Sequence, residues 1–128
     1  MKVKRILRFY FCADSLERAF DNLIINNAYK SVQPYSGELY AEKICALLEE
    51  KKALSWLWYY LDGVIGGITE EERGALESYA KMRFGIKNLD DEKRREIKRA
   101  AIKFKRRARR IESFNEALQL INKYYALI

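Results

Sequence analysis

The apolar positions of this chain recur at steps of three and four, the period of an α-helix. Over residues 3–28, Val3, Ile6, Tyr10, Ala13, Leu16, Phe20, Leu23 and Ile24 keep that step and predict one long helix. A competing reading makes 3–12 a strand and starts the helix at Ser15, with Asp14 and Glu17 as a capping box. A lone strand finds no partner in this chain, so the single helix is preferred. Residues 31–37 (SVQPYSG) are the first clear loop.

A second helix is expected from Gly37 or Glu38, with Tyr40, Ile44, Leu47 and Leu48 as its stripe. The run Glu49-Glu50-Lys51-Lys52 should surface or turn. A third helix then carries Leu54, Leu57, Trp58, Leu61, Val64 and Ile65 and ends at Gly66-Gly67. The fourth has the clearest start: Thr69 followed by three glutamates is a T-x-x-E capping box at the positive end of a helix dipole. Leu76, Tyr79 and Ala80 follow, and Gly85 stops it.

The last stretch is harder to divide. Asp90 or Asp91 caps a helix in which Ile97, Ala100, Ala101, Phe104, Ala108 and Ile111 share one side. Phe114, Leu118, Ile121, Tyr125 and Ile128 form a second stripe, turned by roughly 80° to 100°. Either one helix supercoils on a seven-residue repeat, or the chain breaks near Ser113, where Ser113 and Glu116 offer another capping box. The break is preferred. These elements predict an all-α fold: a compact bundle of five to six helices, in one helical domain over 1–128, with a long basic helix near the C-terminus. One Pro and six Gly among 128 residues agree, because all-β domains need many more turns.

Composition narrows the chemistry. The chain has no His, which removes the commonest general base and most metal sites. It has no Gly-rich phosphate loop. Clustered carboxylates such as Asp14, Glu17 and Asp21 lack the Glu-x-x-His partners of helical di-metal sites and read as solvated faces. No cofactor or metal is expected, and the chain reads as non-enzymatic. Cys12 and Cys45, 33 residues apart, read as reduced core residues of a cytoplasmic protein. The basic N-terminus precedes an apolar run cut by Arg8, which is not a signal-peptide pattern. The most apolar window, residues 53–68, is too short for a transmembrane span and contains Asp62. Its aromatics, Trp56, Trp58, Tyr59 and Tyr60, are expected in the core. Asp62 is expected to be exposed at the helix end beside Gly63, with an Arg of the basic helix as the other candidate partner.

Charge then singles out one segment. Between residues 93 and 110 lie eleven Lys or Arg and one acid, a formal +10 in a chain of +7, so the other 110 residues sum to −3. On the helical wheel the cations sweep about 220° opposite the apolar seam. Such a face attracts phosphates by counterion release, and Arg grips them bidentately. The expected function is nucleic-acid binding by a cationic helix over 91–111, through Arg95, Lys98, Arg99, Lys103, Arg106, Arg109 and Arg110, with phosphates of DNA or RNA as the partner. Neutralisation by the chain's own acids (Glu49, Glu50, Glu70 to Glu72) is the plain alternative. In the rival function the same face, or the second stripe, meets an acidic protein or a second copy of the chain.

Residues 68–85 (ITEEERGALESYAKMRFG) resemble the first helix of the helix-turn-helix in sigma-factor region 4, through the Glu-Glu-Arg opening and an apolar–Tyr–Arg-like close. The resemblance ends there. No turn residue divides 91–110 into a second helix and a recognition helix.

Overall fold

The computed structural model describes residues 3–31, 37–82, 85–86, 89–109 and 114–125. Among them there is no strand. Six helices follow in order: α1 (Val3–Phe11), α2 (Ala13–Ser31), α3 (Gly37–Gly66), α4 (Glu70–Lys81), α5 (Asp91–Ala108) and α6 (Phe114–Tyr124).

The N-terminal helix is two helices, not one. Cys12 still donates its N–H to Arg8 O at 2.9 Å, but Ser15 N–H bonds Cys12 O, three residues back, at 3.2 Å. That tighter bond lets the chain turn without Gly or Pro. The turn has a packing cause. Ile6, Leu7, Phe9 and Tyr10 are all buried, too many for one helix face, so α1 must be covered from several sides. It contacts α2, α3, α4 and α6, whereas α2 lies along α3.

The opposite correction applies to α3. The expected turn at 49–52 does not occur, and one 30-residue helix runs through it. Glu and Lys are good helix formers, so a charged run alone breaks nothing. Two of the four also find tertiary partners. Lys123 Nζ meets Glu50 Oε1 at 2.8 Å, the Tyr124 hydroxyl donates to Glu50, and Lys51 Nζ meets Asp21 Oδ1 at 2.8 Å. The polar patch is where α2 and α6 attach to α3. The longest helix is therefore α3 in mid-chain. The basic helix near the C-terminus, expected to be long, has 18 residues.

The capping box of α4 forms as its sequence requires. Glu72 N–H donates to Thr69 Oγ1 at 3.2 Å, and Thr69 N–H returns a bond to Glu72 Oε1 at 3.4 Å. Asp90 caps α5, accepting from Lys93 N–H at 2.8 Å. A separate α6 agrees with the preferred break. Ser113 lies outside the described residues, as does the side chain of Glu116, so its capping box is not described.

One cluster of buried side chains draws on all six helices, with Phe9, Phe20, Leu57, Leu61, Leu76, Phe104 and Ile121 fully enclosed. It does not extend everywhere. Beyond Phe20 on α2 and before Leu54 on α3, no residue with a described side chain is buried. These outer halves run antiparallel, with Asp21 against Lys51 at one end and Lys30 over the Tyr40 ring at the other. Outward of Leu47, which packs against the core, they form a two-helix arm.

Three residue expectations fail against this geometry. Trp56 and Tyr59 are 53% and 71% exposed, while Trp58 and Tyr60 pack against the core. At 100° per residue Trp56 and Tyr59 fall on the side of α3 opposite Leu54, Leu57 and Leu61, so no other described helix covers them. Cys45 is exposed on the arm, Cys12 is half-buried, and both thiols are free.

Candidate nucleic-acid interface

α5 presents the seam that its sequence requires. Ile97, Ala100, Phe104 and Ala108 are buried, against α4 and α3. Two small residues let the helix lie close, and Phe104 fills the space between. The Tyr60 hydroxyl lies 3.2 Å and 3.4 Å from the carbonyl oxygens of Arg107 and Ala108, satisfying the free end of α5. No turn interrupts the helix, so the helix-turn-helix likeness ends at α4.

The cations divide by direction. Arg95, Lys98, Arg99, Arg106 and Arg109 are exposed, and among the described residues none lies within 4.0 Å of a carboxylate. Lys103 turns back toward α4, where its Nζ meets Glu72 Oε1 at 3.0 Å. That hydrogen bond, with the Thr69 hydroxyl and N–H, holds the Glu72 carboxyl below the usual carboxylate range. Arg94 pairs with Asp91. Arg107 reaches across to Gly67 O at 2.5 Å and caps the end of α3. Arg110 lies outside the described residues.

The face is therefore uneven. Toward the start of α5, Arg95 and Arg99 border a cleft that also contains Glu71, Glu72, Asp91, Glu92 and Glu96. Five acids thus share the cleft with the two guanidinium groups, although none lies within 4.0 Å of either among the described residues. Toward its end, Arg99, Lys103, Arg106 and Arg107 surround a shallow groove of about 440 Å³ whose lining includes no acid. Ile102, 53% exposed, lies among them. The spacing 99, 102, 106, 109 puts one cation before and two after an apolar step along one ridge.

Lys98, about 20° from Arg109 on the helical wheel, lies on the flank of the ridge toward α1. It shares a groove of about 520 Å³ with Lys4 and Arg5 of α1, Tyr79 of α4 and Tyr125 beyond α6. Lys4 Nζ stands 5.5 Å from the centre of the Tyr79 ring, and the Arg5 guanidinium 4.8 Å from that of Tyr125. Arg5 also donates to Asn122 Oδ1 at 3.1 Å. Sequence reasoning missed these α1 cations and Ile102. The basic N-terminus was visible, but no signal in the sequence placed it beside α5.

Asp62 is exposed, and its partner is not an Arg. The Tyr10 hydroxyl donates to Asp62 Oδ1 at 2.5 Å. Among the described residues no group of three or more acids or cysteines is placed to hold a metal ion. No described helix is long and apolar enough to cross a membrane.

Compared with known proteins, the chain matches no family model, no curated protein and no solved structure. The reading of the site rests on its geometry.

Proposed function

We propose that the protein is a non-enzymatic nucleic-acid-binding protein that contacts phosphates through the second half of α5. One observation carries the reading: Arg106 and Arg109, clear of the acid-lined cleft, project from one ridge with no carboxylate of the described chain within 4.0 Å. Unpaired guanidinium groups on a rigid helix keep their full attraction for phosphate, and no internal ion pair has to be broken to use it. The acid-lined cleft makes Arg95 and Arg99, which both border it, weaker contributors than the charge count alone suggests. Lys103 is weaker for the same reason, because its ammonium is already engaged. Lys98, Lys4 and Arg5 extend the cationic surface around to α1.

The test is fluorescence anisotropy with labelled duplex DNA, single-stranded DNA and structured RNA across a salt series. Affinity is expected to fall steeply and linearly in log–log coordinates as salt rises. Arg106→Gln is expected to weaken binding alike for all sequences and to lower the salt slope by about 1. Lys103→Gln should do less. No binding to any of the three probes at low salt overturns the reading.

A further inference from the structure

The outer side of α3 carries a second surface, and it does not depend on nucleic acid. Ala41, Cys45, Leu48, Lys52, Trp56 and Tyr59 are all exposed and recur at steps of four, three, four, four and three. At 100° per residue they fall within about 80° of one another, directly opposite the buried Leu54, Leu57 and Leu61. Leu48, Trp56 and Tyr59 are respectively 50%, 53% and 71% exposed. A seam of this period, with the small Ala41 and Cys45 at one end and the large Trp56 and Tyr59 at the other, is a pattern by which one helix packs antiparallel along another. No other helix of the described chain occupies it.

Charge identifies the occupant. Glu49 flanks the seam and Lys52 lies within it; both are exposed, and neither lies within 4.0 Å of an opposite charge among the described residues. Their neighbours Glu50 and Lys51 are already engaged within the chain. In an antiparallel pair of α3 helices, with a two-fold axis between Glu50 and Lys51, Glu49 faces the partner's Lys52, and the same contact recurs on the other side. Trp56 then faces the partner's Cys45, large against small. The surrounding arm suits a self-contact as well. Residues 21–31 and 37–53 hold five acids and four Lys, so two arms meet at near-neutral charge, whereas two α5 faces would repel.

We propose that two copies of this chain associate through the outer seam of α3, antiparallel, with reciprocal Glu49–Lys52 pairs at the centre.

The test is sedimentation equilibrium of nuclease-treated full-length protein in high salt, over a wide concentration range. The weight-average mass is expected to rise from 15.2 kDa toward twice that value. Leu48→Glu with Trp56→Glu should hold it at 15.2 kDa, with unchanged far-ultraviolet circular dichroism because both positions are exposed. Glu49→Lys and Lys52→Glu, measured singly at low salt, should each weaken association by roughly three- to tenfold, and the double variant should recover it. A mass fixed at one chain at every concentration overturns the proposal. So does a dimer that survives Leu48→Glu with Trp56→Glu, or a double charge variant no tighter than the singles.

Discussion

The Tyr10 hydroxyl donates to the Asp62 carboxylate across the contact between α1 and α3, and the ring of the same tyrosine stacks on Trp58 with centroids 5.2 Å apart. Trp58 in turn donates its indole N–H to Tyr10 O at 2.9 Å. Burial, together with the bond to the carboxylate, pushes the Tyr10 phenol up to about 12. A phenol raised above its unfolded value of 10.0 contributes stability that is complete below pH 10 and lost as pH climbs through about 12. Asp62→Asn should bring the Tyr10 titration down toward its ordinary value. The phenolate absorbance difference between that variant and its Tyr10→Phe counterpart measures it. Tyr10→Phe at neutral pH should cost about 1 kcal/mol in urea denaturation, because the exposed Asp62 carboxylate regains water.

Thr69→Ala removes the side-chain acceptor of the α4 capping box and should cost about 1 kcal/mol, again by urea denaturation. Glu72 answers a separate question. Its carboxyl is held below the usual range chiefly by Lys103, so its contribution is present above the unfolded pKa and is lost as pH falls through the lowered one. Glu72→Gln should therefore flatten the acid side of the stability profile. Lys103→Met should flatten it in the same pH window.

Phe104 and Ile102 lie two residues apart on α5 and should differ sharply. Phe104 is fully enclosed, so Phe104→Ala should cost about 3–5 kcal/mol. Ile102→Ala, on the open ridge, should stay within about 0.5 kcal/mol. If binding tracks the ridge, Ile102→Glu should weaken nucleic-acid association while leaving the thermal midpoint nearly unchanged.

Arg107 serves the fold rather than the ridge. A Cβ at Gly67 would run into the Arg107 guanidinium, whose long side chain can swing away. Gly67→Ala should therefore fold, release Arg107 from the end of α3 and cost roughly 1 kcal/mol or less. Freed from that bond, the guanidinium joins the groove it borders, so the same variant should bind nucleic acid slightly more tightly in the anisotropy titration.

Helix starts were the most legible part of the sequence, because a cap is a local event. The Thr69–Glu72 box and the Asp90 cap need only the residues beside them. The buried seam of α5 was legible too, since one helix face is set by spacing. Continuity was not. Whether the run 49–52 turns or continues depends on Asp21, Lys123 and Tyr124, which come from elsewhere in the chain. The break at Cys12 has only a weak residue signal, the acids Asp14 and Glu17 just after it, because its cause is the competing packing of α1 and α2. For the candidate site, the charge count located the helix. It could not show that Lys103 turns inward or that five acids share a cleft with Arg95 and Arg99.

The arm made by the outer halves of α2 and α3 has a thermodynamic consequence of its own. A helix pair that encloses no side chain draws little from the hydrophobic effect and can open without disturbing Phe9, Leu57 or Phe104. Its amide hydrogens should exchange at a much lower opening free energy than those of the core. The helical content thus holds two populations with different melting behaviour, and a thermal scan followed by circular dichroism should begin with a shallow, non-cooperative slope before the main transition. Mapping exchange along α3 should find the boundary near Leu47, the outermost α3 residue packed on the core, within a helix that shows no cap or glycine at that point.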